Sequence, residues 1–335
     1  MPKCRPAYRA LPTIIVGLLI GSIGAGAQPL PAGDYLGQKP PGRTPEIFGP
    51  GVVSTGLPER DLAVTPDGNE IYFTVMGPAY AFSTIMVVRR AEGRWLPPEP
   101  ASFSGDPKHV DLEPTIAPDG SRLFFVSKRP TTAGSEPNED IWFVERCESG
   151  WSAPRNLGAP VNSPDPEFFP SLTRDGTIFF TRGDESGQGE HIFRSRLIDG
   201  IYQEPEKLPD EINCGRMRFN AMVAPDESFV ILGVVGREDA ISPADYYVVF
   251  AKPSGGWYEP RNLGAPINLP RVRGYSPSLS PDGKYFFFMS ERLSAEPPAR
   301  RLTYADYQQI NQSHGNGQSD IWWVDASVIT DLRPQ

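Results

Sequence analysis

One turn signature recurs along this chain and limits what it can fold into. Five segments share it: DLAVTPDGNEIYFT (61–74), EPTIAPDGSRLFFVS (113–127), FPSLTRDGTIFFTR (169–182), NAMVAPDESFVILG (220–233) and SPSLSPDGKYFFFMS (276–290). The turn aspartates Asp67, Asp119, Asp175, Asp226 and Asp282 are spaced by 52, 56, 51 and 56 residues. In each unit an alternating run leads into the turn. There Pro presets φ, Asp bonds the turn backbone and Gly takes a positive φ. An apolar, aromatic run then returns as a second strand. A third follows, DIWFVE (140–145), HIFRSR (191–196), DYYVVF (245–250) or DIWWVD (320–325), with TIMVVR (84–89) in the first unit. A fourth reads WSAPRNLGAPVN (151–162) or WYEPRNLGAPIN (257–268).

A period in the low fifties with four strands per unit is that of a β-propeller blade. The 33 glycines and 38 prolines, about a fifth of the chain, suit short strands joined by tight turns. The last unit lacks its fourth strand, and a candidate lies at the other end of the chain, TPEIFGPGVVS (44–54). The expectation is an all-β, five-bladed propeller of four-stranded antiparallel blades, closed by an N-terminal strand that completes the last blade. Its aromatic residues fill the widening wedges between blades.

Ahead of this domain, Lys3, Arg5 and Arg9 precede an apolar run at 11–23 and a small-residue site at Ala25-Gly26-Ala27. This is the layout of a secretory signal peptide over 1–27, too short to span a bilayer. Cleavage would leave no transmembrane anchor. The Pro/Gly-rich stretch 28–43 reads as a flexible lead-in to a single domain over 44–335. Removing 1–27 leaves 29 basic against 41 acidic side chains, a charge of −12. That balance argues against nucleic-acid binding. The expected product is an acidic monomer, periplasmic or secreted. Cys147 and Cys214 fall on opposite faces and are expected as two free thiols.

The repeat resembles the TolB-type, WD-like units of bacterial envelope proteins, whose core reads P-S-x-S-P-D-G. The DIW strand and the NLGxPxN segment are similar to propeller regions found beside peptidoglycan-binding domains. The likeness runs over about 44–325. TolB itself has six blades and an added N-terminal domain; neither is visible here, nor is a peptidoglycan-binding domain.

Blade topology puts the P-D-G turns on one face and every long loop on the other, where propellers usually place function. Reading the inner strands with strict alternation puts Glu59, Asp111, Glu167 and Arg218, then Asp61 and Glu113, at the channel mouth. Arg129, Arg182 and Arg292 follow second strands on the same face. These nine are the candidate binding residues for an envelope protein, peptide or glycan. The expected role is non-catalytic recognition. The alternative is a glycoside-active enzyme using Asp61, Glu113 and Glu167 as the paired carboxylates such chemistry needs. In HVDLE, His109, Asp111 and Glu113 alternate and would share one side of an extended strand, a weak candidate site for Ca²⁺ or another divalent cation; otherwise no cofactor is expected. If Asp61 and Glu113 serve only a ligand, their neutral amides should leave the melting temperature nearly unchanged. The chain has no G-x-S-x-G, H-E-x-x-H or P-loop signature.

Overall fold

The computed structural model of the chain describes residues 30–131, 136–183, 189–296 and 298–335; the signal-peptide reading lies outside them. Five antiparallel sheets form the five blades of a propeller. From the axis outward, blade one runs Glu59–Val64, Glu70–Met76, Ser83–Ala91 and Glu99–Pro100. Blade two runs Asp111–Ile116, Arg122–Ser127, Asp140–Cys147 and Arg155–Asn156. Blade three runs Glu167–Leu172, Ile178–Arg182, His191–Ser195 and Glu206–Lys207. Blade four runs Met217–Val223, Phe229–Val235, Asp245–Phe250 and Arg261–Asn262. Blade five has Gly274–Leu279, Tyr285–Ser290 and Asp320–Asp325, and its outer strand is Glu46–Ile47 from the N-terminal side. Glu46 lies opposite Trp323 and Ile47 opposite Trp322.

The second strands are apolar without interruption because both of their faces are buried. Successive side chains go to opposite neighbours. Ile71 and Phe73 pack towards blade five while Tyr72 packs towards blade two. Leu123 and Phe125 join blade one, and Phe124 joins blade three. Phe179 meets blade four; Phe286 and Phe288 meet it from the other side. Each of the five core clusters therefore fills one wedge between blades. The closing wedge holds Phe48, fully buried and edge-on to Phe287 and Trp323.

The outer segments are mostly loop, with only two residues of each PRNLGAP segment in a strand. The reason is a side-chain staple. Asn162 accepts from the Ile141 N–H (3.0 Å) and donates to its carbonyl (2.9 Å). Asn268 does the same to Tyr246, and Asn213 to Ile192. Ser54 bonds Ile321 in the closing blade, and Ser104 accepts from the Ile85 N–H. A polar side chain thus replaces the missing strand bonds. Asn162→Ala is expected to cost about 1–3 kcal/mol in urea unfolding, the cost of leaving a buried backbone pair unsatisfied.

Three features differ from the reading of the sequence. Residues 30–43 pack on the ring: Leu36 is buried, and Trp95 Nε1 donates to the Gly33 carbonyl at 2.8 Å. Tyr35 packs edge-on to Tyr285 and tilted against Phe287 and Trp323. A Pro/Gly-rich segment is ordered here because it lies over the closing wedge. The long loop 291–319 carries an exposed helix, Tyr304–Asn311, capped by Thr303. Cys214 is a free, buried thiol as expected, whereas Cys147 is disulfide-bonded.

Candidate functional site at the channel mouth

All five inner strands carry the same irregularity. Pairing with the second strand shifts register after Arg60, Leu112, Phe168, Phe219 and Tyr275. The next residue in each blade, Asp61, Glu113, Phe169, Asn220 or Ser276, has a φ between 52 and 64°. This is a β-bulge with a left-handed residue, a conformation that costs a non-glycine residue about 1–3 kcal/mol. The bulge frees side chains and N–H groups to bond across blades. Asp61 Oδ2 accepts from Arg60 Nε (2.8 Å) and from the Glu113 N–H (3.2 Å), while Oδ1 accepts the Ser276 hydroxyl. Glu113 accepts from Arg60 Nη2 (2.6 Å) and from the Phe169 N–H (2.7 Å). The Asn220 N–H donates to Thr181 Oγ1 at 3.1 Å. Four blades are tied at the axis by Asp61, Glu113 and Arg60, whose guanidinium also lies 4.7 Å from the Tyr275 ring centroid.

Burial pushes Glu113 up to about 8; Arg60 opposes this, and Asp61 and Glu139 add to it. Burial works against the Arg60 charge, but Asp61 and Glu113 outweigh it and hold the guanidinium protonated.

Above this network lies a mouth cavity of about 330 Å³. Its wall includes the residue before each bulge, Arg60, Leu112, Phe168, Phe219 and Tyr275, so every blade contributes. Glu113, Glu139, Glu190, Asn220, Val126 and Met217 complete it. Glu139 pairs with Lys128 at 2.9 Å. Burial raises the Glu190 carboxyl, Glu139 adds to the shift and Arg218 opposes it.

Of the nine residues singled out from the sequence, only Glu113 lines this cavity, with Asp61 bonded to it through Arg60. The others face their own leading loops. Glu59 accepts from the Thr55 N–H at 3.1 Å and from its hydroxyl. Asp111 takes Ser104, Ser127 and Arg129. Glu167 takes Ser163 and Arg182. Arg218 donates to the carbonyls of Cys214, Gly215 and Glu190, and Arg292 to those of Pro266 and Ile267. These are caps on blade entrances. The strict alternation assumed for the inner strands fails at the bulge, which turns the preceding residue to the axis and its predecessor away.

The same bulge separates the proposed metal ligands. Asp111 is held by Arg129, Glu113 by Arg60, and His109 Nε2 has Asp106 at 3.9 Å. Among the described residues no group of three or more His, Cys, Asp or Glu side chains is assembled to hold an ion. Nor do Asp61, Glu113 and Glu167 converge as a carboxylate set, since Glu167 is enclosed with Ser163 and Arg182. The acids opening third strands are also internal. Asp140 and Asp245 accept from Asn156 and Asn262, and Asp320 from the Gly315 N–H.

A second, larger cavity of about 480 Å³ opens on the opposite, P-D-G face, where only tight turns were expected. Leu62, Ile116, Leu172, Met222 and Leu279 line it, with Tyr35 of the N-terminal segment. Among the described residues no helix is long and apolar enough to cross a membrane.

No family model matches the sequence, and no curated protein does so either. Solved structures resemble the fold. A protein described as TolB from Agrobacterium tumefaciens is 15% identical over 80% of this chain and 90% of its own, with a TM-score of 0.47. TolB from Acinetobacter baumannii is also 15% identical, over 80% of this chain and 54% of its own, with a TM-score of 0.43. The catalytic domain of the Coprinopsis cinerea GH62 α-L-arabinofuranosidase is 10% identical over 85% of this chain and 97% of its own, with a TM-score of 0.45.

Proposed function

We propose that this chain is an exported, non-catalytic recognition module, acting in the periplasm or outside the cell, that binds a protein, peptide or glycan at its channel mouth. The observation that carries the reading is the mouth cavity, to which all five blades contribute. A closed ring holds such a wall rigidly, so binding need not order it first. Its volume is at the lower end of ligand sites, about 300–1,000 Å³. It suits the end of a side chain or one sugar rather than a whole chain. The mouth mixes apolar walls with a few carboxylates and one amide, the composition of a recognition site. The enzyme alternative has less support, because Asp61 and Glu113 already share one arginine and Glu167 is sequestered.

Met217 is partly exposed on the cavity wall, so Met217→Trp should fill the space and leave the ring intact. Peptide-library and glycan-array screens with both proteins are expected to find a ligand class bound by the parent and lost in Met217→Trp. Binding that ignores the substitution, or turnover of aryl-glycosides by the parent, would overturn the reading.

A further inference from the structure

The mouth already holds one organic cation. The Arg60 guanidinium is enclosed by two carboxylates, Asp61 and Glu113, and by the ring of Tyr275. The rest of the wall repeats those chemical parts without the cation. Glu139 and Glu190 are close enough to raise each other's energy when ionised, and Phe168 and Phe219 supply aromatic surface. Glu139 meets Lys128, whose side chain is 44% exposed and well solvated. Among the described residues Glu190 has no hydrogen-bond or ion-pair partner for its carboxylate. Asp61, Glu113 and Glu139 have direct ion-pair partners in Arg60 and Lys128, whereas Arg218, whose N–H groups go to the carbonyls of Cys214, Gly215 and Glu190, acts on the Glu190 carboxylate only at a distance. Among the described residues no cation is bonded directly to the Glu190 carboxylate. A half-buried carboxylate gains most from a partner that brings its own positive charge and several N–H donors. Aromatic faces favour the same partner.

We infer that the mouth cavity receives an organic monocation, an alkylammonium or guanidinium group, seated between Glu190 and Glu139 against Phe168 and Phe219. This deepens the recognition reading and rests on it. The stem of such a group is apolar and fits beside Leu112, Val126 and Met217, while its head reaches the acids. A lysine or arginine side chain of a protein and a free diamine share this chemistry.

The test uses the full chain and titration calorimetry. Probes are cadaverine, N-acetyl-lysine methylamide and a pentapeptide with one central lysine; N-acetyl-norleucine methylamide is the neutral control. Cationic probes are expected to bind at least about tenfold tighter than norleucine, the weight of one charged hydrogen bond. Glu190→Gln, alone and with Glu139→Gln, should remove most of that margin; both positions are partly exposed, so the fold should tolerate amides. Binding of cadaverine as well as the peptide supports the inference and identifies a small amine as sufficient. Binding of the peptide alone supports it and points to a protein partner. Equal binding of lysine and norleucine probes, no binding of any cation, or indifference to Glu190→Gln would overturn it. The two readings fail separately. Neutral ligands that bind and are lost in Met217→Trp keep the mouth and reject the cation; amine binding untouched by Met217→Trp rejects the mouth.

Discussion

Replacing Arg60 with Met is expected to destabilise the propeller by about 3–5 kcal/mol, the cost of leaving buried carboxylates without their cation. The Arg60 side chain is 12% exposed, Asp61 1% and Glu113 4%, so water cannot take over the guanidinium's role. Asp61 also bonds Ser276 of blade five and the Glu113 N–H of blade two, so the loss reaches three blades. The same geometry reverses the expectation for Asp61→Asn with Glu113→Gln. That pair of changes leaves the Arg60 charge buried and unmatched, and the melting temperature should fall. The triple variant, with Arg60→Met added, should recover much of the loss, since a buried ion network can often be exchanged for neutral side chains at little cost. Urea unfolding of the three proteins checks the order: parent, triple variant, then Arg60→Met. Equal midpoints for the parent and Arg60→Met would show that the network contributes nothing to the fold.

The second large effect concerns Glu59. It is 1% exposed, and among the described residues it accepts only from Thr55 and has no cation paired with it. Burial raises its carboxyl from 4.5 to about 8, with the Thr55 bonds opposing and Asp320 adding to the rise. A folded state that holds a proton more tightly than the unfolded chain is favoured while that proton is present. The contribution is complete below pH 4.5 and disappears as pH rises to about 8. At about 1.4 kcal/mol per pKa unit, it amounts to a few kcal/mol. Asp320 acts in the same direction: burial raises it to about 6, and among the described residues its buried Oδ1 has no hydrogen-bond partner. The turn aspartates of the repeat act in the opposite sense. In Asp175 and Asp226, bonds from Thr173 and Ser228 hold the carboxyl below its usual value, so their contribution is lost on acidification. Glu59→Gln should therefore gain stability relative to the parent above pH 4.5, with the gap levelling off past pH 8. Midpoints of unfolding measured from pH 4 to 9 would test this; parallel curves would remove Glu59 as the source.

The fold was legible in the sequence because its causes are local. P-D-G turns, doubly apolar second strands and a fixed period specify a blade, and the missing outer strand of unit five could be found at residues 44–54. The aromatic runs packed as expected, with alternate residues filling alternate wedges. The mouth was only partly legible. Its acidic character and the two linked residues, Asp61 and Glu113, were visible, but Arg60, Tyr275, Glu139 and Glu190 were not. Strict alternation predicts which side chains share a face only while the strand stays regular. The bulge arises where five inner strands crowd around one axis and exchange bonds between blades. Asp61, Glu113, Phe169, Asn220 and Ser276 share no residue type that would announce a left-handed turn. The chain's own pattern determined the number of blades and their closure; packing around the axis decided which side chains meet in the channel, because that depends on neighbours some fifty residues away.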